Sequence, residues 1–496
     1  MKSQKIFLEL TADIFKKTSW NTIQSELKNI SSSRWEELGR KKALDLFHKV
    51  SKDVPAYKDF LKKNRIKAEN VRSYADFIHI PPTDKQNYID LYPLKDRVWH
   101  GTFDKSFLIN SSSGSTGRPY FWPLGENEVA EGAMMHELIY REQFESHKKS
   151  TLVIITFGMG TWIAGVYTML CLKLLSEKGY KITLISPGFN KEEVLQILEH
   201  VAPQFEQTVI AGIPTFVKDV LDISKTKKNN VSLKLHFAGE GFSETWRSYI
   251  MEMIDSSTPE YNTVSVLGSA DAGIMAFESS DSILIRRLAA KEKSINTMIF
   301  NSDRTPSLTQ YIPTIKFFEE RNGSLLITAN RSVPLIRYAM HDEGGCISSD
   351  RMKKFMKGKI RKTNRLGNLP YVYVFGRGKF SAVIYGANIY PEHMREILSH
   401  EKIRSLVTGR FEIKTHFDEK TQNQSLHLHI ELAEKVNPSS TLNNILTDVF
   451  ILLTRKMNGE YNRIWQEYGE KVKPVIFFYL YGDPHKFPLG KVKKSS

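Results

Sequence analysis

The chain has only two cysteines, Cys171 and Cys346, in 496 residues. That is too few for a disulfide scaffold, and without a CxxC pair there is no zinc ribbon or finger. A reducing cytoplasmic compartment suits this usage. No apolar stretch reaches the ~20 residues that a bilayer span needs, and the strongest, VIFFYLY at 475–481, reads as a buried strand. The amino terminus, MKSQKIFLELTADIFKK, puts Glu9 and Asp13 where a signal peptide needs an unbroken apolar core, so it reads as an amphipathic helix. Internal repeats and low-complexity tracts are also missing. Hydrophobic content is an ordinary 41%, and the length exceeds what one core organises, so at least two domains are expected.

Negative charge is in deficit: 55 Asp and Glu against 70 Lys and Arg leave a net charge of +15. The densest basic stretch is RMKKFMKGKIRKTNR at 351–365. A solvated face, a surface for an acidic small molecule or acidic partner protein, and a nucleic-acid surface all fit such a run. No zinc-finger spacing or RNP-like aromatic motif accompanies it, so charge is the sole argument for nucleic acid, which stays the minority reading.

Residues 1 to about 100 read as mainly helical, with RWEELGRKKALDLFHKV repeating its apolar positions near the helical period. In IPPTDKQNYIDLYP, Thr83 and Gln86 have the spacing of a capping box. From about 150 the pattern alternates: strand TLVIITFG, helix WIAGVYTMLCLKLLSEKG, strand YKITLIS, then a helix opened by Asn190. TVIAGIPTFVKDVL repeats the step from strand to helix. This is α/β texture with a mostly parallel sheet, whose ligands gather at the carboxyl ends of the strands. After about 310, short strand-like pieces separated by glycines predict a β-rich region, and GRGKF at 376–380 is the expected joint to a small tail domain.

The familiar nucleotide signatures are absent. GMGTWIAG does not keep GxGxxG spacing, and the strand after it carries no acidic residue for a ribose, which leaves a glycine-lined wall with Trp162 over it. SSSGSTGRP at 111–119 is neither a Walker loop nor a GxSxG elbow. Its glycine amides, hydroxyls and Arg118 nevertheless suit an anion, with a flexible Ser/Gly linker as the plain alternative.

That loop resembles the SSGTTGKP phosphate loop of adenylate-forming enzymes, and further segments resemble the same superfamily in order. FAGEGFSE at 237–244 resembles its adenine-side turn, VLGSADAG at 266–273 its YGxSE segment, and PLIRYAMHDEG at 334–344 its PLIRYRTGD. VFGRGKFSAVIYGANIYPEHMREIL at 374–398 resembles the hinge and following hairpin, and FPLGKVKK the terminal lysine segment. VPAYKDFLKKNRIKAENVRSYADFIHIPPTDKQNYIDLYP points to the phenylacetate-CoA ligase branch, with its CapK-like proteins; the resemblance covers roughly residues 35–496.

The resemblance implies a large α/β amino-terminal body over 1–376, with mostly parallel sheets and a β-rich subdomain, and a small mobile α+β lid over 377–496. It implies ATP, Mg²⁺ and CoA, and a reaction that joins a carboxylate to the α-phosphate of ATP and then transfers the acyl group to a thiol. ATP would be held by Ser112, Ser113, Gly114, Ser115, Thr116, Gly117 and Arg118, by Gly239 and Glu240, and by Asp342 and Arg377. Lys491 with Arg377 would stabilise charge in the transition state. Lys379 would be the hinge, Gly386 would pass the thiol arm, and Asp271 would help hold Mg²⁺, one methylene shorter than the usual glutamate. Trp162, Ile274, Met275 and Phe277 would line a pocket for a small aromatic or apolar carboxylic acid, with plain core as the alternative. Leu267 stands where a tyrosine is usual, Arg118 replaces a lysine, and His341 replaces the glycine before Asp342. Two alternatives stay open: transfer of the acyl group to a carrier protein or an amine, and a nonenzymatic homologue.

Overall fold

The computed structural model describes residues 5–112, 119–224, 231–359, 366–377 and 382–487. The chain divides into two compact units, a body that takes residues up to 112 and 121–376, and a tail that includes 377–496.

The body begins with helices, and their starts are written in the sequence. Thr11, Ser19 and Ser31 each accept a first-turn amide, from Ile14, Thr22 and Arg34, the ordinary work of a hydroxyl N-cap. Because Thr11 caps a new start, the first amphipathic stretch is two short helices, Lys5–Leu8 and Ala12–Lys17, where one was expected. The longest helix, Ser32–Asp53, buries Trp35, Leu38, Phe47 and Val50. The capping box near residue 84 is shifted by one from its expected place. Asp84 Oδ1 accepts from Asn87 N at 2.7 Å and Asn87 Oδ1 from Asp84 N at 2.8 Å. Thr83 is taken by the sheet instead: its hydroxyl donates to Ile336 O at 3.0 Å and its carbonyl accepts from Ala339 N at 2.7 Å.

Among the described residues eleven strands form one sheet, in the order, by first residue, Lys316, Ser324, Leu335, Tyr371, Ser307, Gly273, Thr263, Leu233, Gln207, Thr151, Ile182. The strands Ile182–Ile185, Thr151–Ile155, Gln207–Gly212, Leu233–Ala238 and Thr263–Ser269 pair in parallel. Parallel neighbours need crossovers, and helices Ile163–Glu177, Lys191–His200, Pro214–Ile223 and Glu244–Met253 supply them. Asn190 caps the second of these as expected, its side chain accepting from Glu193 N at 3.2 Å. From Gly273–Phe277 onward the sheet turns antiparallel. The β-rich region is therefore the antiparallel half of the same sheet.

The tail has its own core. The hairpin Ala382–Ile384 and Ala387–Ile389 and the three-stranded sheet of Val407–Phe417, Gln424–Leu432 and Pro474–Tyr479 pack with helices Pro391–Leu398, Ser440–Met457 and Gly459–Tyr468 around Ile384, Met394, Leu428, Leu446 and Phe450. VIFFYLY is not the buried strand expected from its apolar run. It lies at the edge of this sheet, with Val475 43% and Phe477 37% exposed while Ile476 and Phe478 turn to the core.

Candidate active site

The parallel strands end along one edge of the sheet, the edge at which open α/β sheets bind ligands. Trp162 follows the strand Thr151–Ile155, Gly239 and Glu240 follow Leu233–Ala238, and Asp271 follows Thr263–Ser269. Four residues singled out from the sequence thus share one edge. Trp162 immediately precedes helix Ile163–Glu177, and the turn before it is held to the strand that enters the Ser/Gly loop: Ser111 N donates to Thr161 O at 2.7 Å, and its hydroxyl reaches the Thr161 hydroxyl at 3.0 Å. Ser112 is half-buried at the start of that loop, whereas Ser113 to Arg118 lie outside the described residues.

At the turn 239–242 burial alternates: Gly239 and Gly241 are exposed, Glu240 and Phe242 buried. Glu240 Oε2 accepts from the Thr215 amide at 3.3 Å and hydroxyl at 2.9 Å, at the amino end of helix Pro214–Ile223, where the helix dipole favours a carboxylate. Gly239 has φ 86°, a conformation that costs glycine nothing. The turn is therefore anchored by side chains that face inward and presents glycine backbone outward.

Asp271 is 8% exposed. Its Oδ2 accepts from the Tyr338 hydroxyl at 2.7 Å and stands 3.7 Å from the Lys85 ammonium. Beneath this turn lies Arg331, 3% exposed, with Nε 3.1 Å from Glu128 Oε1. A Cβ on Gly273 would fall 2.5 Å from Arg331 Nη1, and Gly273 has φ 68°, so any side chain there would be strained and would displace the Arg331 guanidinium. Burial alone would lower the Arg331 pKa; Glu128, followed by Tyr167, Glu131 and Asp271, outweighs it and leaves the group raised. Among the described residues no group of three or more His, Cys, Asp and Glu side chains is placed to hold a metal ion. A lone carboxylate is nonetheless what Mg²⁺ uses when nucleotide phosphates supply its other oxygens, so Asp271 fits a shared site and not a protein-only one.

Tyr338 and Asp342 lie on one strand, Leu335–Ile347. Its register against Ser324–Ala329 shifts between Leu326↔Ala339 and Ser324↔Glu343, so Asp342 sits at an irregularity of the kind that re-aims side chains. His341 has φ 59°, so the backbone keeps a glycine-like conformation although the residue is histidine. A second slip falls on Gly273–Phe277. There Leu267 faces Ala276 and Gly268 faces Ile274, which makes Met275 the extra residue and brings Ile274 and Phe277 to the same face. Ile274, Met275 and Phe277 are all buried, at 6%, 1% and 0% exposed.

In the tail, Gly386 (φ 83°) and Tyr385 (φ 47°) are the two central residues of the hairpin turn between Ile384 and Ala387. Tight hairpin turns need just this pair of positive φ angles, so the turn alone accounts for the glycine. Arg377 ends the strand Tyr371–Arg377; its side chain, Lys379 and Lys491 lie outside what is described. Lys85 and Tyr338, which the fold brings to Asp271, are not singled out by the sequence. PLIRY contained the tyrosine, but nothing local in TDKQ ties Lys85 to a carboxylate so distant in the chain.

No family model matches the sequence, and no curated protein matches it. The fold, however, is similar to solved structures of an acyl-CoA ligase. The chain superposes on 2-hydroxyisobutyryl-CoA ligase in complex with 2-HIB-AMP and CoA in the thioesterification state with a TM-score of 0.63 at 13% identity, over 95% of this chain and 91% of that one. The same ligase in its postadenylation state with R3-HIB-AMP gives 0.54 at 13% identity over 92% and 88%, and an open conformation with 2-HIB-AMP and CoA gives 0.54 at 13% over 95% and 92%. At this identity the likeness establishes the fold. Among the described residues no helix is long and apolar enough to cross a membrane.

Proposed function

We propose that the chain is an ATP-dependent carboxylic acid ligase of the adenylate-forming type, in the phenylacetate-CoA ligase-like branch, that makes an acyl-adenylate and then an acyl-CoA thioester. The observation that carries this reading is the alignment of Trp162, Gly239, Glu240 and Asp271 along the carboxyl edge of the parallel strands, with Tyr338, four residues before Asp342, bonded to Asp271. The likeness in fold to a CoA ligase whose structures hold an acyl-AMP and CoA supports it.

In the first step a carboxylate oxygen of the acid attacks the α-phosphorus of ATP and the bond to pyrophosphate breaks. In the second, a thiol sulfur attacks the acyl carbonyl and AMP leaves with that oxygen. Charge builds on phosphate oxygens, so the chain's work is to position and to neutralise. Residues Ser112 to Arg118 take the β- and γ-phosphates, Gly239 and Glu240 border the base, Asp342 accepts from the ribose hydroxyls, and Arg377 and Lys491 meet the reacting phosphate. Mg²⁺, when bound with ATP, supplies charge neutralisation at the phosphates, and Asp271 is the residue that would share it. Trp162, Ile274, Met275 and Phe277 border an apolar acid pocket. Residues 377–496 act as a lid hinged at Lys379, and Gly386 lets the thiol arm approach the backbone.

The test is pyrophosphate release with ATP and a panel of aromatic and aliphatic acids, with and without CoA. Acid-dependent pyrophosphate together with CoA consumption is expected. Adenylation without CoA consumption would move the acceptor to a carrier protein or an amine, and no pyrophosphate with any acid would mark a nonenzymatic homologue.

A further inference from the structure

Behind the glycine turn at 239–242 lies a largely buried ionic network, which the partly exposed Arg287 joins 3.5 Å from Glu244 Oε2. Glu244, Arg247, Glu278 and Arg286 are 8%, 0%, 1% and 4% exposed. Arg247 bonds Glu244 through Nε at 3.0 Å, Glu278 through Nη2 at 2.5 Å and the Thr263 hydroxyl through Nη1 at 2.6 Å. Arg286 donates from Nη1 to Glu244 Oε1 at 2.9 Å, from Nε to Pro306 O at 2.8 Å, and from Nη2 to Phe242 O. The Phe242 ring lies 4.9 Å from the Arg247 guanidinium and 5.6 Å from that of Arg286, and packs on Trp246 at 4.8 Å and Phe237 at 5.3 Å.

Burying such a network is a poor route to stability, because well-packed apolar residues of the same volume do as well or better. What it supplies is geometry. One planar guanidinium, that of Arg286, fixes three acceptors at once: the carbonyl at the end of the turn, the carbonyl before strand Ser307–Gln310, and the first residue of helix Glu244–Met253. Glu240 pins the other part of the same turn to helix Pro214–Ile223. Within the turn only Gly239, just before the first anchor, and Gly241, between the two, are exposed, so what the turn offers a ligand is backbone held by buried anchors.

We propose that Arg286 is a positioning residue for a nucleotide base: through the Phe242 carbonyl it holds the 239–242 turn so that its backbone edge discriminates adenine from other bases. This rests on the ATP-dependent reading above. Arg286 touches no ligand itself; it acts through the turn.

The experiment uses the full chain and three probes, ATP, GTP and inorganic pyrophosphate, with binding measured by calorimetry for the wild type, Arg286→Met and Arg286→Lys. The wild type is expected to prefer ATP to GTP. In Arg286→Met, ATP affinity is expected to fall by about tenfold or more, as misplacing a contact surface does, while pyrophosphate affinity is unchanged and the ATP preference over GTP narrows. Lysine keeps the charge but not the fork to three acceptors, so Arg286→Lys is expected to behave like Arg286→Met and decides the matter if the methionine variant does not fold. A folded variant that keeps wild-type ATP affinity and base preference overturns the proposal, as does one that loses pyrophosphate affinity in step with ATP. A wild-type chain that binds neither ATP nor pyrophosphate overturns the functional reading itself, and so separates that failure from the proposal's own.

Discussion

Acidification is expected to destabilise the body through His136. This ring is 0% exposed on helix Glu126–Glu142, with Nδ1 2.7 Å from Gly132 O and the ring of His236, also buried, 5.3 Å away. A carbonyl only accepts, so Nδ1 carries the proton and Nε2 is bare. Protonating Nε2 would bury a charge, and burial holds the His136 pKa down at about 4 against an ordinary 6.5. The unfolded chain then binds a proton near pH 6.5 that the native state refuses until about 4. The stabilisation is present above 6.5 and is lost as pH falls through that window, by about 1.4 kcal/mol per pH unit and roughly 3 kcal/mol in all. His236 is shifted in the same direction, by burial and then by His136, and adds to the loss. The assay is urea unfolding followed by tryptophan fluorescence at pH 7, 6, 5 and 4, comparing the wild type with His136→Asn, whose amide can replace Nδ1 but does not titrate. The wild type is expected to lose more stability between pH 6.5 and 4 than the variant does. Equal slopes would refute the argument, since every other titrating group is common to both.

Three further outcomes are expected. Asp271→Asn should weaken the Mg²⁺ dependence of adenylation while the protein remains folded, read from the rate against Mg²⁺ concentration; an unchanged titration would remove Asp271 from that role. His341→Gly should be neutral or stabilising by up to about 1 kcal/mol in denaturant unfolding, because it relieves a residue at φ 59° at the cost of a contact with Asp84 3.8 Å away on a mostly exposed ring. Lys491→Ala should slow adenylation by about 10²–10³, as losing one preorganised donor does, while acyl-adenylate supplied ready-made still reacts with thiol in single-turnover kinetics.

The parallel half of the sheet was legible in the sequence because its signals are local. Apolar runs such as TLVII and TVIAG, an asparagine cap at 190 and helices of regular period leave one arrangement open. What escaped was set by partners far along the chain. Thr83 has the sequence of a cap but is claimed by the sheet, and Asp84 caps in its place. The bulge at Met275 has no local signature, yet it decides that Ile274 and Phe277 share a face. VIFFYLY reads as buried because hydropathy cannot tell an edge strand from a central one. Resemblance singled out Gly239, Glu240 and Asp271, which the fold places after parallel strands at one edge of the sheet. Lys85, Tyr338 and Arg286 appear only when the fold brings them to those turns.

The central claim is that a carboxylate oxygen of the substrate becomes bonded to the α-phosphorus of ATP. It is tested most directly by supplying an accepted acid labelled with ¹⁸O in its carboxylate, together with ATP and CoA, and weighing the AMP by mass spectrometry. The account predicts AMP carrying one ¹⁸O and pyrophosphate carrying none. Label in inorganic phosphate with ADP as the product, or acid-dependent ATP cleavage that leaves AMP unlabelled, would contradict it.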